Sequence, residues 1–259
     1  MPFSPARTNS EAPWDLFDSV AYHNHNYSSL RSDDRQILAA VRDHFLAALA
    51  STDPASLRGI DVGAGTNLYP SLAMLPWCRE ITLFERSERN VAWLRNEVVR
   101  YGDNWDEFWA VLCEREETYP EVADPRARLA GVADVRQGDL FDGLPGTGYD
   151  LGTMFFVAES LTTAHEEFET AVDVFGRALG PGAPFAVAFM ENSLGYEVGE
   201  LSFPACRIDS TDVVASLAGY AAPGLRVERI EVPGEPLLRE GYTGMLLALG
   251  RRGGERTTD

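Results

Sequence analysis

Positive charge is scarce in this 259-residue sequence: 22 lysine and arginine residues stand against 40 aspartate and glutamate residues, a formal net charge of −18 and a pI near 4.6. Affinity for phosphate backbones comes from counterions released at clustered cations, so nucleic acid is not an expected partner, and anionic membrane surfaces are disfavoured for the same reason. Cysteine is scarce too. Cys78, Cys113 and Cys206 are odd in number and widely spaced, which fits free thiols in a reducing compartment and neither a disulfide framework nor a metal site. No run of about 18 apolar residues occurs, so no membrane span is expected. The stretch from Met1 to Trp14 lacks the apolar core of a secretory signal. The expectation is a cytoplasmic protein, monomeric or weakly dimeric.

What is present suits a folded enzyme. Hydrophobic residues make up 45% and charged residues 24% of the chain, enough for a core and ordinary for a globular domain. After a polar N-terminus punctuated by Trp14, Phe17, Tyr22 and Tyr27, an apolar stripe at Ile37, Leu38, Val41, Phe45 and Leu49 predicts a helix over about 33–50. Short buried strands are then predicted at Leu57 to Val62, Glu80 to Glu85, Ala133 to Gln137, Tyr149 to Val157 and Pro184 to Met190. Helical patterns lie between them, one capped by Ser87 and another ended by Gly180-Pro181-Gly182. Alternation of this kind implies a parallel sheet covered on both faces. Two late strands, Leu225 to Val232 and Met245 to Leu249, have no helix between them and predict an antiparallel edge. The stretch 101–130 is too long for a loop and reads as an inserted helix plus a polar loop.

Chemistry concentrates after the first strand, in Asp61-Val62-Gly63-Ala64-Gly65-Thr66. Gly63 and Gly65 allow a tight turn and close approach of a ligand. A dinucleotide loop would place a third glycine at position 68, which is Leu68, so a pyrophosphate cradle and a nicotinamide oxidoreductase are disfavoured. Glu85 ends the second strand 22 residues beyond Gly63, the spacing at which one carboxylate accepts from both hydroxyls of a ribose. Asp139-Leu140 follows the third strand, where an acid can accept from an exocyclic amine while an apolar neighbour covers the ring. His23 and His25 have no partner spaced to complete a metal site, and no metal is expected. Trp93, Trp105, Phe108 and Trp109 read as core.

These motifs, with Tyr69, Asn90, Asn104-Trp105, Phe156-Val157-Ala158-Glu159, Tyr196, Gly199-Glu200 and the upstream Tyr22 and Tyr27, resemble the family of nicotinamide N-methyltransferase, phenylethanolamine N-methyltransferase and thioether S-methyltransferase. The resemblance runs from about residue 17 to 250. It implies a Rossmann-like three-layer α/β sandwich with a seven-stranded, mostly parallel sheet, an antiparallel edge strand and an N-terminal helical cap. Residues 1–50 would form the cap, 51–250 the methyltransferase domain and 251–259 a disordered tail. The implied cofactor is S-adenosylmethionine, leaving as S-adenosylhomocysteine. Gly63, Gly65 and Thr66 would lie under the adenosine, Glu85 on the ribose with Asn90 nearby, Asp139 and Leu140 at the adenine. Tyr22, Tyr27, Tyr69 and Phe156 would lie around the rest of the cofactor. A sulfonium is a cation, which an acidic, aromatic-walled pocket suits.

The acceptor is expected to be a small molecule. In amine-methylating relatives an acid matching Glu159 and another matching Glu240 hold the substrate nitrogen, and a further acidic position falls on Asn192; Glu191 and Tyr196 complete the expected substrate residues. A buried carboxylate orients an amine and accepts its proton, and repels an anion, so an amine or N-heterocycle nitrogen is the predicted acceptor. Against this stand a capping role for Glu159 and a plain loop role for Glu240. Alternatives at the level of function are an O-methyltransferase of a small metabolite and a catalytically silent protein that binds S-adenosylmethionine.

Overall fold

The computed structural model describes residues 8–115, 118–230, 238 and 241–254. Its framework is a seven-stranded sheet built from Leu57–Val62 (β1), Cys78–Glu85 (β2), Ala133–Gln137 (β3), Leu151–Phe155 (β4), Pro184–Glu191 (β5), Arg226–Ile230 (β8) and Gly244–Arg251 (β9). The order is β3-β2-β1-β4-β5-β9-β8. The first five strands are parallel, and β9 inserts antiparallel between β5 and β8. The antiparallel strand is therefore interior and β8 forms the edge, which explains why β5 and most of β9 are buried along their length: apolar runs such as Met245-Leu246-Leu247 need cover on both faces.

Helices cover the two faces. On one lie Ser32–Ala48 (α2), Tyr69–Met74 (α3), Trp105–Leu112 (α5) and Pro125–Val132 (α6), whose buried residues share a core with Ile81, Leu83 and Leu247. On the other lie His165–Ala178 (α7) and Ser210–Leu217 (α8), packed with Ile60, Phe185 and Leu246. Glu88–Glu97 (α4) follows β2, its first turn held by the Ser87 hydroxyl accepting from the Asn90 amide. Ser19–Asn26 (α1) belongs to the N-terminal segment. A small hairpin, Tyr196–Val198 (β6) with Leu201–Phe203 (β7), stands outside the main sheet.

Three expectations need correction. The expected cap over residues 1–50 includes α2, whose Ile37, Leu38, Val41 and Phe45 are fully buried in the main core, so that helix covers the sheet. The stretch 101–130 is not one helix and a loop. It holds α5, a 3-10 turn at Tyr119–Glu121 and α6, with Trp105, Phe108 and Tyr119 fully buried. The C-terminal boundary also falls later, since Arg251 ends β9, the Arg252 amide donates to Ala183 O at 2.8 Å and Arg252 bridges Ala221; residues 255–259 lie outside the described residues. Among the described residues no helix is long and apolar enough to cross a membrane.

Candidate active site

Strand order reverses between β1 and β4, and ligands of open α/β sheets bind beside such a switch, outside the carboxyl ends of the strands. The chain leaves β1 through Gly63 (φ +67°) and Gly65 (φ +55°). A Cβ on Gly63 would stand 2.4 Å from Val157 Cγ2, so both the backbone conformation and the close approach require glycine. The Gly63 and Ala64 amides donate to Phe84 O at 2.7 and 3.1 Å, tying the turn to β2. Phe156, after β4, holds the left-handed conformation without being glycine (φ +61°), a strain that persists only where the surroundings enforce it.

Glu85 fastens this turn from below. Its Oε2 accepts from the Gly65 amide at 2.9 Å, and its Oε1 accepts from the Ser87 amide at 2.7 Å and Asn90 Nδ2 at 3.5 Å. All of these donors are uncharged. Burial pushes the Glu85 pKa up, against the hydrogen bonds that lower it. Deeper still, Asp61 accepts from Thr153 Oγ1 at 2.8 Å and Ser71 Oγ at 3.1 Å. Burial is the main force raising its pKa to about 7, with the nearby Glu85 charge adding to it.

Asp139 caps the 3-10 turn Leu140–Asp142 by accepting from the Phe141 amide at 3.0 Å. It also accepts from Arg86 Nε at 2.9 Å and from Asn9 Nδ2 at 3.1 and 2.9 Å on its two oxygens. Through Asn9 the N-terminal segment is thus fastened across the strand ends. Ser19 Oγ donates to Asn90 Oδ1 at 2.7 Å and the Glu88 amide to Asp15 Oδ1 at 3.1 Å. Trp14 and Phe17 pack on Phe203 of the hairpin at centroid distances of 5.2 and 5.1 Å. Beneath this cover lies a cavity.

Its wall brings together Tyr22, Tyr27, Gly63, Gly65, Thr66 and Glu85, and with them Asn90, Asp139, Leu140, Phe156 and Tyr196. Tyr69 is not among them. It is fully buried in α3, stacked on Phe108 at 5.5 Å, with its ring 6.2 Å from that of Tyr27, because the helix that begins at Tyr69 turns this residue toward the core. Glu191 is also elsewhere: it accepts from Arg229 Nε at 2.7 Å and Thr243 Oγ1 at 2.6 Å. Asn192 (φ +58°) bonds Thr243 and Arg207, away from the wall. Glu159 is fully buried with Oε1 accepting from the Met190 amide at 3.0 Å and Ser160 Oγ at 3.3 Å; its neighbour Ser160, not Glu159, reaches the wall. It does not cap α7, which begins at His165. Glu240 lies outside the described residues.

Sequence reading missed Asn9, Asn67, Arg86 and Ser160, and saw Trp14 and Phe17 only as members of an aromatic cluster. An isolated asparagine in a polar segment carries no local signal. Three wall residues hold buried polar atoms with no hydrogen-bond partner: Asn9 Oδ1, Thr66 Oγ1 and Asn67 Nδ2. Buried polar groups are normally paired, so these atoms fit a polar ligand with both donors and acceptors. Among the described residues the wall has no histidine or cysteine; its titratable side chains are those of Glu85, Asp139, Arg86, Tyr22, Tyr27 and Tyr196.

The sequence profile described as the NNMT/PNMT/TEMT family matches residues 7–237. Among solved structures the fold is shared with the N-methyltransferase NodS from Bradyrhizobium japonicum WM9 in complex with S-adenosyl-L-homocysteine, at 12% identity over 86% of this chain and 89% of that one, with a TM-score of 0.51. It is shared also with S-adenosylmethionine-dependent methyltransferases from Clostridium acetobutylicum (11% identity, 82% and 91% coverage, TM-score 0.52) and Methanosarcina mazei (14% identity, 78% and 94% coverage, TM-score 0.53). No curated protein matches the sequence. The profile covers most of the chain, and the protein belongs to the NNMT/PNMT/TEMT family of S-adenosylmethionine-dependent methyltransferases.

Proposed function

We propose that this methyltransferase acts on the nitrogen of a small amine or N-heterocycle. The observation that carries the reading is the charge balance of the cavity wall. Glu85 is held by neutral donors, and the arginine in the wall, Arg86, is engaged by Asp139. On the acceptor's side, the groove that shares Tyr22 and Tyr196 carries Glu197 and, among the described residues, no lysine or arginine, so an anionic acceptor would find no such cation there, whereas a basic nitrogen is attracted. Bound S-adenosylmethionine supplies a methyl group on a sulfonium, which the nitrogen lone pair takes as the C–S electron pair returns to sulfur.

The chain's part is to hold, align and exclude water. Glu85 and Asn90 are the residues proposed for the ribose, Asp139 and Leu140 for the adenine, Thr66 and Asn67 for the polar end of the methionine portion. Tyr22, Tyr27 and Phe156 offer aromatic surface, on which a cation is favoured before transfer and after it, when the methylated nitrogen carries the charge. Tyr22 and Tyr196, whose ring centroids are 6.2 Å apart, belong also to a wider groove of about 740 Å³ that includes His25, Asn26, Glu197 and Ser202. That continuity makes the groove the proposed route for the acceptor and, where the nitrogen bears a hydrogen, for the proton's exit to water.

Glu159 is proposed as a positioning residue that holds Ser160 and the end of β5. Glu159→Gln keeps an oxygen for the Met190 amide, so turnover near the native rate with an unshifted pH profile is expected; a rate loss that grows toward low pH would return Glu159 to direct proton acceptance. The acceptor itself is tested by incubating the protein and S-adenosylmethionine with size-matched amines, N-heterocycles, phenols and carboxylates and locating the added methyl group by mass spectrometry. Methylation of nitrogen is expected. Transfer to oxygen alone would overturn the nitrogen reading and favour the O-methyltransferase.

A further inference from the structure

Asp33 and Asp34 stand side by side in the first turn of α2 and are put to different use. Asp33 is bound within the helix start: its Oδ2 accepts from Arg31 Nη2 at 3.0 Å and its Oδ1 from the Asp34 amide at 2.9 Å. Asp34 shares a face with Ile37, Leu38 and Val41, at the i, i+3, i+4 and i+7 spacing by which an amphipathic helix packs on a core, and it is 3% exposed. An apolar residue would continue that face; a carboxylate gives it a charge. The charge lies toward the site: burial raises the Tyr69 phenol pKa most, the Asp34 charge raises it next, and the Tyr69 ring is 6.2 Å from that of Tyr27.

Asp34 lines a small cavity at the junction of the two larger ones. Tyr22, Tyr27 and Phe156 belong both to its wall and to that of the cavity assigned to the cofactor, while Asn26 and Leu238 belong also to the groove. Met190 and Met245, cross-strand partners in β5 and β9, complete it. Among the described residues on this wall Asp34 is the one carboxylate. The cavity measures about 10 Å³, room for about one water-sized group. An ammonium head has that size; a ring does not. Aromatic rings and a carboxylate around so small a space favour a cation over a neutral group. We propose that this cavity seats the basic nitrogen of an amine acceptor as an ammonium, that Asp34 is the residue that selects it, and that the rest of the acceptor lies in the groove. Asp34 then takes the place for which the sequence offers Glu159 and Glu191, which the fold turns to the Met190 amide and to Arg229. The inference rests on the nitrogen reading of the acceptor.

The test is calorimetric titration of the protein saturated with S-adenosylhomocysteine, using two probes of matched shape: benzylamine, protonated at neutral pH, and benzyl alcohol. The native protein should bind the amine at least about tenfold more tightly, as expected for a charge-assisted hydrogen bond to a carboxylate. Asp34→Asn should cut this preference to less than about threefold while its affinity for S-adenosylhomocysteine stays within about twofold of the native value. Glu197→Gln, at an exposed position of the groove, should keep the preference. In the native protein with methyl-labelled methionine, the amine should move the Met190 and Met245 resonances and leave those of Met74 and Met154, buried in the two cores, in place; this readout holds even where Asp34→Asn fails to fold. A preference that survives Asp34→Asn, a preference lost in Glu197→Gln, or unmoved Met190 and Met245 resonances overturns the seat at Asp34 and leaves the nitrogen reading standing. Equal binding of the two probes by the native protein, or binding of neither, overturns the seat and the nitrogen reading together.

Discussion

Glu85 and Glu191 each end a parallel strand and each is nearly buried, yet the two ends of the sheet use them differently. At the β1–β2 end the carboxylate is held by the Gly65 and Ser87 amides and by Asn90. Its charge is oriented but not cancelled. At the β5–β9 end the carboxylate meets the Arg229 guanidinium and the Thr243 hydroxyl, and its charge is spent within the protein. Of these two acids, the one whose protein partners are neutral is the one proposed to meet the ligand. Arg229 reaches Glu191 because β9 inserts between β5 and β8, a long-range arrangement that the neighbours of Glu191 in sequence do not reveal.

The sharpest way to break this comparison is to remove both carboxylates in turn and read cofactor binding. Glu85→Ala should weaken S-adenosylhomocysteine binding by at least about tenfold, the loss of charge-assisted hydrogen bonds worth roughly 1.5 to 3 kcal/mol. Calorimetry checks this, and unaltered affinity would mean that Glu85 only ties the glycine turn to α4. Glu191→Ala should leave that affinity unchanged and lower the unfolding free energy by about 1 kcal/mol, a small cost because the Arg229 side chain is 40% exposed and water can replace its partner. Urea denaturation measures it. A tenfold loss of cofactor affinity in Glu191→Ala would erase the distinction between the two sites.

A separate effect, on stability and not on binding, is expected from Asp61, whose pKa the nearby Glu85 charge also raises. Burial raises its native pKa to about 7, above the ordinary carboxylate value of about 3.9. The native state then binds more protons than the unfolded chain between those values, so stability from this group is complete below about pH 4 and is lost as pH rises through about 7. Asp61→Asn should flatten the stability profile between about pH 4 and 7 relative to the native protein, measured as urea midpoints. Parallel profiles would place the Asp61 pKa back in the ordinary range.

Much of this was legible locally. The β1 strand, the Gly63 and Gly65 turn and Glu85 lie within one unit whose apolar pattern and spacing are continuous in the sequence, and Ser87 announces α4 by its capping chemistry. Tyr69 enters the expected site through the resemblance alone, and in the structure α3 directs its ring onto Phe108. The β6–β7 hairpin was missed because strands of three residues are too short to show alternation. Asn9 was invisible for another reason: its meaning comes from Asp139, which is 130 residues away.

The central claim is that the cavity over the neutral-held carboxylate at the β1–β2 end receives the methyl donor. A crystal structure with S-adenosylhomocysteine tests it most directly. The account predicts the ribose hydroxyls within hydrogen-bonding reach of Glu85, the adenine beside Leu140 with its amino group at Asp139, and Glu191 still paired with Arg229. Density for the nucleoside at the β5–β9 end, or a ribose turned away from Glu85, would contradict it.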